Sequence, residues 1–284
     1  MKLMRLIKIS LVGLLILLTS NQIEVFTRTQ ENNGHAPIIN SDVTEIRIPC
    51  QYKKEDLLQG LTAYDEEDGY LTEKILIGSF SDFTERGVSS LEYAVYDTEG
   101  NIATFNRKVV FSDYIPPRIT VSEPCVFRPA NNAYDIPSLN FEGSDRLDGD
   151  ISKHILITKT DLDFTKPGKY TASVNLKNSF GDEVNMDLPI HILDPNQYGY
   201  TIELKEPMIY IGRGDNFTPE NYMTAIKSEY SGEIIPDKEY TLTINSNVDT
   251  SKDGIYEVQY SAISSDKVQG GETWLTVVVG NYGG

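Results

Sequence analysis

Carboxylates on tight turns are the densest chemistry in this chain. Asp65-Glu-Glu-Asp-Gly69 sets four acids in a row, and Asp145-Arg-Leu-Asp-Gly149-Asp150 sets three acids within six positions. Hard carboxylate oxygens on a short loop are what Ca²⁺ takes as ligands. The spacing, however, departs from the helix–loop–helix calcium loop. Counted from the first Asp, the glycine falls at position five rather than six, and position twelve is Leu76 or Leu156 rather than Glu. The same letters make good turns, because an Asp side chain accepts backbone N–H groups just ahead of it and Gly adopts positive φ without a steric penalty. Turn chemistry is therefore the preferred reading. The alternative is a weak Ca²⁺ site on Asp65, Glu67, Asp68, Asp145, Asp148 and Asp150, and no other cofactor is expected.

No catalytic set accompanies these turns. The three histidines, His35, His154 and His191, are scattered, and no Gly-x-Ser-x-Gly, His-Glu-x-x-His or phosphate-cradling loop is present. His191 lies in Pro189-Ile-His-Ile-Leu193 and is expected to face outward between two isoleucines. Arg213-Gly-Asp215 reads as a strand-leading turn before Phe217, and no role is expected for the acceptor-like triplet Asn216-Phe-Thr218. Trp274, in a run that alternates Trp274, Thr276 and Val278, is expected on a sheet face or in a core rather than on a sugar platform.

The elements that must carry these residues are strands. Leu91–Tyr96, Lys108–Phe111, Tyr170–Leu176, Tyr240–Ile244, Tyr256–Tyr260 and Trp274–Val279 are rich in β-branched and aromatic residues, and several alternate with period two. Gly, Asp, Asn and Pro punctuate them at short intervals, as in β-sandwiches. One short helical piece is predicted at 219–226. A repeat organises the whole. Pro37-Ile-Ile39 resembles Pro117-Arg-Ile119 at an offset of 80, and the two acidic turns and Ile75-Leu-Ile77/Ile155-Leu-Ile157 keep that offset. Asp82-Phe-Thr84 and Asp163-Phe-Thr165, Gly87 and Gly168, and Gly100 and Gly181 then hold an offset of 81. In this register Cys50 aligns with Ala130 and Cys125 with Glu45, so the two cysteines are not equivalent and no disulfide is favoured between them. A third unit follows more loosely, with Gly254-Ile-Tyr256 paralleling Gly168-Lys-Tyr170.

The net charge of −17, from 42 acidic and 25 basic residues, disfavours nucleic acid as a partner. Lys2, Arg5 and Lys8 precede the apolar run 9–18, a pattern of membrane targeting that is short for a bilayer span. Its cleavage site is poor, so a cleaved signal peptide and a retained signal anchor both remain open. The expected division is 1–28 signal peptide or anchor, 29–36 linker, 37–113 first domain, 114–194 second domain and 195–284 third domain. Connections are short, and Pro116, Pro117 and Pro195 are expected to stiffen them into a semi-rigid rod.

Ala63-Tyr-Asp-Glu-Glu-Asp-Gly-Tyr-Leu-Thr72, Asp97-Thr-Glu-Gly-Asn-Ile-Ala103, Asp148-Gly-Asp-Ile151 and Val248-Asp-Thr-Ser-Lys-Asp-Gly-Ile-Tyr256 together resemble a family of bacterial immunoglobulin-like repeats. These occur in Gram-positive surface proteins, in appendages of secreted hydrolases and in a pesticidal crystal toxin. Tyr70 departs from the third Asp of the pattern, Ser90 from its first Tyr, and unit two carries Asn178-Ser-Phe-Gly-Asp182 at the later turn. The resemblance implies an all-β chain of three tandem immunoglobulin-like sandwiches. It leaves function open, because this fold hosts many. The leading expectation is a non-catalytic cell-surface or secreted stalk for adhesion or ligand binding, with a protein or polysaccharide ligand and membrane contact through an uncleaved leader. The alternatives are an accessory subunit of a membrane-spanning secretion or conjugation assembly and a carbohydrate-binding companion of a secreted hydrolase.

Overall fold

The computed structural model of the chain describes residues 36–130, 138–195 and 198–280. The expected targeting segment, the expected linker up to residue 35 and His35 lie outside them. Among the described residues no helix is long and apolar enough to cross a membrane. The chain divides into two compact units, one ending at Asp113 and one running from Tyr114.

The first unit is one sandwich. Strands β1 (Ile38–Ser41), β2 (Glu45–Ile48), β3 (Leu61–Asp65), β4 (Gly69–Tyr70), β5 (Leu76–Phe80), β6 (Val88–Tyr96) and β7 (Ile102–Phe111) form two sheets, ordered β1-β3-β4 and β2-β7-β6-β5. The chain starts antiparallel to β3, then crosses over so that β2 runs parallel to β7. Alternation decides what is buried. Leu61, Ala63 and Asp65 of β3 and Leu91, Tyr93 and Val95 of β6 point inward. A short helix α1 (Lys54–Leu58), absent from the sequence expectation, bridges β2 and β3 and buries Leu57.

The second unit holds two sandwiches. Strands β8 (Arg118–Val121), β9 (Val126–Phe127), β10 (Phe141–Asp145), β11 (Gly149–Asp150), β12 (Leu156–Thr160), β13 (Gly168–Lys177) and β14 (Glu183–Ile192) repeat the first pattern, with sheets β11-β10-β8 and β12-β13-β14-β9 and the same parallel closure of β9 on β14. The third sandwich uses β15 (Tyr200–Leu204), β16 (Met208–Ile211), β17 (Met223–Ser228), β18 (Tyr240–Ser246), β19 (Gly254–Ser264) and β20 (Gly270–Val279), with sheets β15-β17 and β16-β20-β19-β18 and β16 parallel to β20. All three are immunoglobulin-like. The predicted helix at 219–226 is a single 3₁₀ turn, Pro219–Tyr222, because Met223 onward pairs with β15.

The second and third sandwiches share a core. Met208 and Val278 of the third are buried with Ile119, Met186 and Ile190 of the second, and Tyr210 and Ile255 pack against the same cluster. The Tyr210 hydroxyl donates to the Ile119 carbonyl at 2.7 Å, and burial pushes its pKa up to about 12. The connection through Pro195 thus joins two sandwiches packed into one body.

Candidate functional site

The acidic turns come first because the repeat builds them twice. Asp65 Oδ1 accepts the N–H groups of Glu67 and Asp68, both at 2.9 Å, and Asp145 Oδ1 accepts those of Leu147 and Asp148 at 2.7 and 3.0 Å. Gly69 and Gly149 then sit at φ 74° and 75°, where a Cβ would be strained. The fourth residue reaches to a distant turn. Asp68 accepts the Thr98 N–H and hydroxyl at 2.6 and 2.7 Å, and Asp148 accepts the Ser179 N–H and hydroxyl, both at 2.7 Å. Those Thr98 bonds hold the Asp68 carboxyl below its ordinary range. Asp150 accepts from Ser152, and its carboxyl is lowered in the same way. Glu67 is exposed. Among the described residues, no three Asp, Glu, His or Cys side chains converge where they could hold a metal ion.

Other motifs also have structural partners. Arg213 grips Asp253 through Nε at 3.0 Å and a terminal nitrogen at 2.9 Å, and Asp215 accepts the Gly212 N–H at 2.7 Å, so the Arg-Gly-Asp letters are bound into their own turn. Neither Cys50 nor Cys125 is bridged. Burial, and then the Glu257 charge, pushes the Cys125 thiol up to about 11, which leaves it protonated and unreactive at neutral pH.

The residues that converge lie where the third sandwich docks on the second. His191, expected to face outward, is 8% exposed. Its side chain does leave the second sandwich's own core by strand alternation, but the third sandwich covers that face. The imidazole stacks on Trp274 with ring centroids 3.9 Å apart and planes 5° off parallel, and His191 Nε2 lies 2.5 Å from Glu257 Oε1. Lys169, the cross-strand partner of His191, binds the other Glu257 oxygen. Burial raises the Glu257 pKa, but the bonds and charges of His191 and Lys169 outweigh it, so the carboxyl is held below its ordinary value. Sequence reasoning did not connect these residues.

Beyond this cluster the outer face of the third sandwich opens to solvent. Asn245, Gln259 and Trp274 stand opposite one another on β18, β19 and β20. With Ser246, Asn247 and Glu257 they line a cleft of about 240 Å³. Asn245 donates to Gln259 at 3.2 Å, and Asn247 Oδ1 accepts the Glu257 N–H at 2.8 Å. An indole beside amides and a fixed carboxylate can stack one face of a ligand and hydrogen-bond its rim.

A different face stands out in the first sandwich. Ile38, Tyr64 and Tyr70 lie in one cross-strand row and are 59%, 45% and 86% exposed, with the two tyrosine rings 5.5 Å apart. The corresponding row of the second sandwich is Arg118, Ser144 and Asp150, and there Arg118 lies 4.9 Å over the Tyr210 ring.

No family model matches the chain. Part of it is 26% identical over 205 residues to the pesticidal crystal protein Cry22Aa of Bacillus thuringiensis; the match covers 70% of this chain and 27% of that protein. Among solved structures, the CBM51-2 module with GlcNAc and INT domains of Clostridium perfringens ZmpB is 15% identical with a TM-score of 0.23, over 87% of this chain and 45% of that one. The protocadherin GammaB4 extracellular domain is 12% identical with a TM-score of 0.21, over 88% and 50%. At such scores neither likeness bears on the ligand. The fold rests on the strand pairing described above.

Proposed function

We propose that this chain is an exported, non-catalytic binding protein of the bacterial immunoglobulin-like type, and that its third sandwich takes a carbohydrate in the cleft beside Trp274. The row Asn245–Gln259–Trp274 carries this reading. A pyranose offers an apolar C–H face and a rim of hydroxyls. An indole stacks the first, and amides supply both donors and acceptors to the second. The cleft is also held in place before any ligand arrives, since Trp274 and Glu257 are fixed by His191 and Lys169, which lowers the ordering cost of binding. The same contacts argue against bond cleavage. Glycoside hydrolysis by the usual route needs two carboxyl groups, one of them protonated. The cleft offers one carboxylate, and it is held ionised. Export is supported by the basic and apolar N-terminal run.

Trp274 is the only tryptophan of the protein, so its fluorescence reports directly on the cleft. Titration of the full chain with soluble cell-wall and plant oligosaccharides is expected to shift its emission for at least one class. Asn245→Ala combined with Gln259→Ala is expected to weaken that binding at least tenfold with the far-ultraviolet dichroism unchanged. An emission that stays constant across the whole panel rejects the carbohydrate reading.

A further inference from the structure

The repeat provides an internal control for one buried oxygen. Asp65 is 4% exposed, and its Oδ2 is a buried atom with no hydrogen-bond partner. A buried, unsatisfied carboxylate oxygen is costly, and native structures rarely leave one so. The equivalent atom of the second sandwich, Asp145 Oδ2, accepts from Asn178 Nδ2 at 3.1 Å. The residue in the place of Asn178 is Asp97. Asp97 Oδ1 accepts the Asn101 N–H at 2.8 Å as Asn178 Oδ1 accepts the Asp182 N–H at 2.9 Å, and Thr98 and Ser179 are gripped alike by Asp68 and Asp148. Where the second sandwich sets an amide N–H against its buried Asp, the first therefore sets another carboxylate. Asn101 donates to Asp97 Oδ2 at 2.7 Å and does not reach Asp65.

We infer that Asp65 and Asp97 bind a divalent cation of the calcium class between them, and that the second sandwich replaces this ion with the Asn178 amide. A hard cation placed where the second sandwich has the Asn178 amide satisfies the orphan oxygen and neutralises both carboxylates in one step. Two carboxylates are few for Ca²⁺, which takes six to eight oxygens, so water supplies the remainder and the affinity falls in the weak range of extracellular modules, about 10⁻⁴–10⁻³ M. The site does not need the third residue of the acidic turn, Glu67, nor Asp68, whose carboxylate is held by Thr98. Its role is structural, joining the 65–69 turn to the 97–101 turn beside the first sandwich's tyrosine row, and it is independent of the Trp274 cleft.

Hydrogen exchange read by mass spectrometry on the full chain, with and without calcium chloride at about 10 mM, tests this. Added calcium is expected to slow exchange severalfold in the peptides spanning 61–70 and 97–103 and to leave 141–150 and 178–184 unchanged. Asp97→Asn recreates the second sandwich's amide. It is expected to slow exchange in the same two peptides without calcium and to abolish the calcium response. Calcium with no effect on either turn, as when an ordered water satisfies Asp65, overturns the inference. So does an equal response in the second sandwich's turns, or a response that survives Asp97→Asn.

Discussion

The first and second sandwiches share a strand order, a register and a stapled acidic turn, yet they differ in what they place inside. On β6 and β7 of the first, Tyr93 and Arg107 fill two inward positions; the same positions of β13 and β14 hold Val174 and Leu188. Arg107 is 1% exposed, and its partners among the described residues are hydroxyls and carbonyls rather than carboxylates. It donates to the Tyr93 hydroxyl at 2.9 Å, to the Gln59 carbonyl at 2.7 Å and to the Leu57 carbonyl, and lies 5.1 Å over the Tyr93 ring. Leu57 and Gln59 end helix α1, so the guanidinium caps carbonyls that the short helix leaves unpaired, at the end where a cation is favoured. The second sandwich uses an aliphatic pair and instead covers one of its faces with the third sandwich. Repeating a fold thus repeats the turns that define its backbone, while each copy solves the problem of its own interior separately.

The largest effect is expected from removing that difference. Arg107→Leu should cost the first sandwich about 2–3 kcal/mol, because the Gln59 carbonyl and the Tyr93 oxygen lose their donor in a buried site, while Leu57 keeps only the Tyr93 hydroxyl. In urea unfolding of the full chain, the first sandwich's transition should move to lower denaturant while the Trp274 fluorescence transition stays in place. A single variant that unfolds at the parental midpoint would show that the buried cation is incidental.

Acid should next distinguish the docked second and third sandwiches from the first. Glu257 has a folded-state pKa below its ordinary 4.5, so its contribution to the docking of the third sandwich is full above that value and is lost as pH falls through the folded pKa. Trp274 emission between pH 7 and 3 should report the loosening below about pH 4.5, with Glu257→Gln flattening the profile. The first sandwich's own ion cluster, Glu45 with Arg47 and Lys108, lies on the surface rather than in a docked interface, so its tyrosine signal should not follow the same curve.

The smallest effect sharpens what the copies share. Asp68→Ala and Asp148→Ala each release one turn from the other, Asp68 from Thr98 and Asp148 from Ser179. Thermal unfolding should show losses of similar size in the two units. A clear inequality would mean that the staple matters more where the buried Asp lacks its amide.

The sequence by itself determined the strands, the turns and the repeat. Each of these depends on residues a few positions apart: alternation within a strand, an Asp accepting N–H groups two and three residues on, a Gly at positive φ. It placed Trp274 in a strand but left it open between a sheet face and a core, since alternation within one strand says which residues share a side and not what covers that side. The long-range staple was not legible, because Asp68 and Thr98 are 30 residues apart and both look like ordinary turn residues. Tertiary structure alone decided which outward faces become covered. His191 was read as outward and does leave its own sandwich, but Glu257 and Trp274 arrive 66 and 83 positions later in the chain to bury it. Period two tells which way a side chain points. Whether solvent or another sandwich lies there depends on the apolar surface of Met208, Tyr210, Ile255 and Val278 closing onto the second core, and no local pattern records that.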